Sequence, residues 1–135
     1  MSVSLNVWAA AGMRVNGVGI PIGSTQKSVT LSLTGNVHDR TEAIANAANA
    51  VLYNDELGTF GFLYLASDQD VRVLITDNTS ASISLTIKGT AVANKHGVPL
   101  MLGDDQTSNT NARINTVQVF NESGSTANVR CFVVE

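Results

Sequence analysis

The sequence predicts an all-β domain, either an antiparallel sandwich or a barrel, from three observations. β-Branched residues are abundant, with 16 Val, 7 Ile and 13 Thr among 135 residues, and such side chains pack well on a pleated sheet. Apolar and polar residues alternate along several segments, which is typical of strands with one buried face. Turn-forming runs of Gly, Asn, Asp and Ser separate these segments at intervals of about 10 residues, as in hairpin-linked strands.

The N-terminal 26 residues are apolar, but glycines and a proline interrupt them too often to predict a regular element. We expect residues 1–26 to be either an extended arm that lies on another subunit or a first strand of the sandwich. Residues 27–135 are expected to form a single β-sandwich domain. If the first segment is an arm, its large apolar side chains are the candidates for the subunit interface: Trp8, Met13, Val15, Ile20 and Ile22.

From residue 28 onward the strand pattern dominates. Phe60–Ala66 is apolar in both phases, which predicts a central strand buried on both faces. In total we expect seven to nine strands between Ser28 and Val134. The segments with the clearest alternation are Ser28–Leu33, Val71–Ile75, Ile83–Ile87, Ile114–Val119 and Val129–Val133.

One segment has the period of a helix instead. Thr41–Leu52 places Ile44, Ala48 and Val51 at helical spacing, and Thr41 is a suitable N-cap residue. The spacing predicts one short helix over residues 41–52.

The charge content and the length of the apolar runs argue against two classes of partner. Only 14% of the residues are charged, and eight basic against eleven acidic residues give a formal net charge of −3. A nucleic-acid surface normally needs clustered Lys and Arg, so we expect no nucleic-acid partner. No apolar run approaches the roughly 18 residues of a membrane helix, so we expect no membrane partner. The polar surface must come from uncharged residues, because Asn, Ser and Thr supply 38 positions.

The search for catalytic chemistry finds no recognisable motif. His38 and His96 do not have metal-ligand spacing and are expected to be surface or loop histidines. The lone Cys131 lies in an alternating apolar segment and is expected to be buried. We therefore predict a protein that is not an enzyme, with no catalytic, metal or cofactor site and no cofactor.

Two acidic pairs leave one question open. Asp68 with Asp70, and Asp104 with Asp105, carry oxygens that a hard cation accepts, but neither pair continues into a calcium-loop pattern. Turn formation is the simpler interpretation of both pairs. The sequence does not decide whether either pair binds a cation.

The order of the segments resembles a group of small virion proteins of tailed bacteriophages. The ending is the most suggestive part, since an apolar strand leads into Asn121-Glu-Ser-Gly124 and then into a second apolar strand. The resemblance covers residues 27–135. The segments that carry it are Lys27–Gly35, Ala50–Asp55, Phe60–Asp68, Val71–Ile75, Ile114–Gly124 and Ala127–Val133.

This resemblance implies a jelly-roll-like sandwich that works by assembly. It implies a capsid decoration (cement) subunit that stabilises the phage head, with itself as partner in a homo-oligomer, expected to be a trimer. It also implies the major capsid protein or another virion protein as partner, and a place in the virion, on the capsid surface in preference to the tail. The group has no catalytic motif, so no functional residue carries over. The resemblance further implies a strand at Ala50–Asn54, which favours strand over helix for Val51–Tyr53 and leaves room for at most one helical turn before it. The sequence does not decide whether residues 41–52 contain that short helix.

Two alternative functions remain open from the sequence. One is a tail- or fibre-associated virion protein, and the other is a receptor- or glycan-binding sandwich module. Aromatic residues make up only 5% of the chain, which disfavours glycan recognition because sugar faces bind exposed aromatic rings. The sequence does not give the host, the oligomer order or the surface that meets the partner.

Overall fold

The computed structural model describes the backbone of residues 3–15 and 18–33 and, with side chains, residues 36–57, 62–102 and 114–134; Gly103 is also placed. These residues form ten strands and no helix. The chain divides into two compact units, Met1–Gly35 and Asn36–Glu135.

The first unit is an antiparallel hairpin of strands β1 (Val3–Val15) and β2 (Val18–Leu33). The register runs from Val3 opposite Leu33 to Val15 opposite Val18, with one irregularity between Ala9 and Ala11. The expectation that glycines prevent a regular element here was therefore wrong. In a two-stranded sheet both strands are edges, and edge strands tolerate Gly and Pro.

The hairpin also extends beyond the N-terminal segment defined from the sequence. Residues 27–33, which the sequence assigns to the sandwich, lie in β2 and pair with β1. The two residues between the strands are Asn16-Gly17. This dipeptide is the strongest short-range signal for a two-residue hairpin, and it predicts the connection better than the neighbouring glycines do.

The second unit contains two four-stranded antiparallel sheets packed against each other, a β-sandwich. One sheet has the order β3-β10-β5-β8 and the other has the order β4-β9-β6-β7. The strands are β3 (Val37–Ile44), β4 (Ala48–Asn54), β5 (Phe62–Ser67), β6 (Val71–Asp77), β7 (Ser82–Ile87), β8 (Leu100–Gly103), β9 (Ile114–Asn121) and β10 (Ala127–Val134).

The strand pairing is that of a jelly roll. The first strand of the sandwich pairs with the last, the second with the last but one, and so on, giving β3·β10, β4·β9, β5·β8 and β6·β7. This long antiparallel ribbon is rolled up by two further contacts, β10 with β5 and β9 with β6. Eight strands in two such sheets define the jelly-roll architecture, which confirms the predicted fold class.

Alternation along each strand builds the core between the sheets. Leu63 and Leu65 on β5 pair with Val133 and Cys131 on β10, and all four are fully buried. The opposite sheet contributes buried residues in the same phase, including Val73, Val117 and Val119. The other phase of β5 is also largely covered, since Phe62 is 6% and Ala66 0% exposed. The prediction of a central strand buried on both faces is confirmed.

The helix predicted for residues 41–52 was wrong. β3 runs to Ile44, a tight turn follows, and β4 begins at Ala48. The turn places Ala47 at φ 60°, and its N–H donates to the carbonyl of Asn121 at 2.8 Å. Pairing with distant strands therefore overrides the helix propensity of the alanines. The strand expected at Val51–Tyr53 is confirmed within β4.

A bulge in β4 sends two consecutive side chains into the core. The register with β9 shifts between Val51 and Tyr53, which leaves Leu52 without an opposite residue. Leu52 and Tyr53 are both 0% exposed. An extra residue in one strand bends and twists it locally, so this edge of the sheet departs from a regular ladder.

Candidate functional site

The interface candidates named from the sequence all lie in the hairpin strands. The register places Met13 opposite Ile20, Val15 opposite Val18 and Trp8 opposite Ser28. Ile22 stands opposite Ala11, next to the irregularity. Their side chains lie outside the described residues.

At one end of the sandwich, the buried carboxylate of Asp68 holds three segments together. Its Oδ1 accepts the backbone N–H of Asn128 at 2.8 Å, and its Oδ2 accepts the Asn128 side-chain amide at 2.6 Å. Oδ2 also accepts the backbone N–H of Asn94 at 2.8 Å. The β5–β6 turn is thereby tied to the start of β10 and to the long connection between β7 and β8.

The environment of Asp68 keeps its carboxylate charged. Burial raises the pKa of the group, but three hydrogen bonds together lower it by more than burial raises it. They come from the Asn128 side chain, the Asn128 N–H and the Asn94 N–H, and the pKa therefore lies below its ordinary value. All of these contacts are N–H donors, which is the environment of a structural anion. Each carboxylate oxygen accepts at least one of these hydrogen bonds.

Asp70 serves the same connection from its exposed side. Its Oδ2 forms an ion pair with Lys88 Nζ at 2.5 Å, and its Oδ1 accepts the Gly89 N–H at 2.9 Å. Asp68 and Asp70 thus organise the loops, as the turn interpretation predicts. Among the residues with described side chains, no group of three or more His, Cys, Asp or Glu could hold a metal ion. Asp104 and Asp105 lie outside the described residues.

The connection of residues 88–99 packs directly on backbone. The Gly97 N–H donates to the Ser67 carbonyl at 2.8 Å, and the Ala91 N–H donates to the Asp68 carbonyl at 2.9 Å. A Cβ at Gly97 would lie 2.7 Å from Gly89 Cα. His96 is exposed in this loop, in agreement with the prediction.

A second buried polar residue, Asn121, joins two turns at the same end of the sandwich. Its side-chain amide donates to the carbonyls of Ile44 and Ser125, each at 2.7 Å. Its Oδ1 accepts the hydroxyl of Ser123 at 2.7 Å. Asn121 therefore fastens the β3–β4 turn to the β9–β10 turn and satisfies backbone groups that would otherwise be buried without partners.

Polar side chains of β3 cover the neighbouring edge strand β4. His38 Nε2 donates to the Leu52 carbonyl at 2.8 Å, and Arg40 donates to the Val51 carbonyl at 3.0 Å. Arg40 also pairs with Glu42 at 2.5 Å. His38 lies on an edge strand rather than in a loop, and its side chain is partly exposed. Sequence spacing gave no signal for this role, because its partners lie on another sheet.

Cys131 faces the core and is a free, fully buried thiol, which confirms the prediction. Burial raises its pKa to about 12. A thiol of this kind is protonated at neutral pH and is a poor nucleophile.

An apolar groove lies on the opposite flank, between the edge strands β7 and β8. It has a volume of about 290 Å³. Ile83 on β7 is 54% exposed, and Val98 just before β8 is 71% exposed. The lining residues are Leu85, Thr86, Ile87, Lys88, Val98, Pro99 and Leu100. Sequence reasoning missed this groove, although the apolar Val98-Pro99 preceding a short strand is its one visible signal.

These observations define the class of the protein as an eight-stranded jelly roll whose buried polar groups hold its loops and edges. Comparison with models of protein families, with curated proteins and with solved structures found no match. Across the described ranges there is no helix long and apolar enough to cross a membrane.

Proposed function

We propose that this chain is a non-enzymatic structural protein of a bacteriophage virion, and that it decorates the capsid and stabilises the head. The observation that carries the proposal is the jelly-roll strand order, an architecture used by viral capsid domains. The sequence resemblance supports the same class over the sandwich, although residues 27–33, which it also covers, lie in the hairpin. The capsid surface is its proposed location, with the major capsid protein or another virion protein as partner.

The chemistry of the described polar groups supports a structural role. Asp68 and Asn121 are buried and bonded to backbone groups of neighbouring loops, and His38 donates to a strand carbonyl. These are the residue types from which a catalytic site would be built, and each one here holds the fold. A polar residue that stabilises loops in this way fits a protein whose task is to keep its shape.

The outward face of the β4-β9-β6-β7 sheet supports burial against other subunits. Much of it consists of uncharged polar side chains, among them Ser84, Thr86 and Gln118. Burying an uncharged polar group costs less free energy than burying a charge. Large areas of such a surface can therefore be covered when copies assemble side by side.

The hairpin is the proposed arm of the assembly. A two-stranded sheet is at best marginally stable in water by itself, and this one carries the apolar residues Trp8, Met13 and Ile20. We propose that it contacts a neighbouring copy or the shell and that the homo-oligomer is a trimer. Symmetric assembly repeats each modest contact, so that the total affinity exceeds that of one interface.

The test uses virus particles purified from the organism that carries the gene. Peptide mass spectrometry should find the chain in the particles, and gold-labelled antibody should decorate the head. Heads from a strain that lacks the gene should bind the added purified chain and resist heating better once it is bound. Absence of the chain from purified particles would contradict the proposal, and label confined to the tail would favour a tail-associated protein.

A further inference from the structure

Three of the four sheet edges of the sandwich are protected against pairing with another chain. β3 carries the charged residues Arg40 and Glu42, β4 carries the bulge at Leu52, and β8 has four residues. Charged side chains, bulges and short strands are the usual devices by which proteins protect an edge.

The fourth edge, β7, has none of these devices. It contains six residues, Ser82–Ile87, without a charge, a proline or a bulge, and its ladder in the described structure is with β6 alone. Ser82, Ser84 and Thr86 are exposed, and in the described part of the chain no second strand pairs with β7. An open, uncharged and regular edge is a template for a further strand.

The free backbone groups of β7 can be assigned from the ladder. Asp77 N–H donates to the Ala81 carbonyl at 2.9 Å, which makes this a hydrogen-bonded pair. Hydrogen-bonded and non-hydrogen-bonded pairs alternate in an antiparallel ladder, so the backbone groups of Ile83 and Leu85 point toward β6. The N–H and C=O groups of Ser82, Ser84 and Thr86 therefore point away from the sheet.

We propose that β7 pairs with β7 of a second copy about a two-fold axis, with Ser84 opposite Ser84 of the partner copy. In this register Ser82 stands opposite Thr86, and about six backbone hydrogen bonds form, because each hydrogen-bonded pair exchanges two. Any antiparallel register that uses these free groups pairs even-numbered with even-numbered residues. The centred register is the one that satisfies all three free residues in both copies.

Side chains favour the same register. Ile83, which is 54% exposed, comes to lie opposite Leu85 of the second copy, on the side that faces the core. Serine and threonine face each other on the outer side, and such cross-strand pairs stabilise sheets. No like charges meet, since residues 82–87 carry none. In the joined sheet of eight strands, the second copy covers the side chain of Ile83, which is exposed in the single chain.

This pairing deepens the proposed self-assembly by naming one contact, and it is a two-fold contact distinct from the hairpin arm. Its test is disulfide cross-linking of the full chain with oxidised glutathione. In the proposed register the two Cα atoms at position 84 are about 5.5 Å apart, within disulfide reach. The two Cα atoms at position 82 are about 14 Å apart, which is beyond it.

The expected result is that S84C forms disulfide dimers at least about tenfold faster than the matched control S82C, because pairing raises the local thiol concentration. Adding I83K, a charge at an exposed position, should abolish this difference. V51K, on the other edge strand of the same sheet and 41% exposed, should leave it intact. Cys131 is buried and unreactive, so it contributes no background.

Equal rates for S84C and S82C would overturn the proposal, and so would fast cross-linking that survives I83K. Thermal unfolding of each variant confirms that the fold is intact. The outcome is independent of the particle test, because dimers can form when the chain is absent from virions, and decoration can proceed without a β7 contact. Failure of one proposal is therefore distinguishable from failure of the other.

Discussion

Asn128 donates two hydrogen bonds to the carboxylate of Asp68, one from its backbone N–H at 2.8 Å and one from its side chain at 2.6 Å. The backbone N–H of Asp68 in turn donates to the Asn128 carbonyl at 3.2 Å. The two residues of this reciprocal clamp, Asp68 and Asn128, are 60 residues apart in sequence. It joins β5 to β10 at the end of the sandwich where the loop of residues 88–99 also attaches.

Replacing Asp68 with alanine should destabilise the fold strongly. The N–H groups of the half-buried Asn128 and of Asn94 would lose the buried carboxylate that accepts their hydrogen bonds. Removing one partner of such a charge-assisted, partly buried hydrogen bond costs free energy. We expect the free energy of unfolding in urea to fall by about 3 kcal/mol. D70A, which removes an exposed ion pair in the same turn, is the control and should have a much smaller effect. Equal losses in the two variants would contradict the assigned role of Asp68.

The stability of the protein should depend on Asp68 in acid. The pKa of this group lies below its ordinary value in the folded state, so its contribution is complete above the unfolded pKa and is lost as pH falls through the folded pKa. The wild type should therefore lose more stability than D68N between about pH 4 and pH 2. Urea unfolding at a series of pH values measures the two curves. Parallel curves over this range would show that the clamp does not prefer the charged carboxylate.

Gly97 should tolerate no side chain. A Cβ there would meet the Lys88 carbonyl and lie 2.7 and 2.8 Å from the backbone Cα and C atoms of Gly89. Because backbone rather than a flexible side chain must move, we expect G97A to lower the free energy of unfolding by about 2 kcal/mol. K95A, an exposed substitution in the same loop, should change it by less than about 0.5 kcal/mol. A wild-type midpoint for G97A in thermal unfolding would refute the close packing.

Alternation predicted the strands of the sandwich because their burial is encoded locally. Val71, Val73 and Ile75 on β6 face the core of the sandwich, as their spacing indicates. The strand that begins at Ala48 was harder to predict from the sequence. Its local helical spacing competes with pairing to β9, and β9 lies far along the chain. The hairpin was missed for a different reason: the many glycines outweighed the Asn16-Gly17 turn signal.

The buried polar residues could not be predicted from spacing. Asn121 donates to a carbonyl 77 residues away, and Asp68 binds groups 26 and 60 residues away. Such contacts depend on which strand ends meet, and that is fixed by the topology of the rolled-up ribbon. The sequence marks Asp68 as a turn residue, which is correct, but only the fold shows that its carboxylate is buried.

Cys131 should be chemically silent in the native protein. Burial raises its pKa to about 12, so at pH 8 only about one thiol in ten thousand is ionised, and the thiolate is the reactive form. We expect a chromogenic disulfide reagent to modify the native protein only slowly, through transient opening, and to react at once in strong denaturant. The exposed thiol of S82C serves as the matched control and should react rapidly under native conditions. Rapid reaction of the wild-type thiol at pH 8 would mean that β10 opens readily, and it would contradict a core that is closed around this strand.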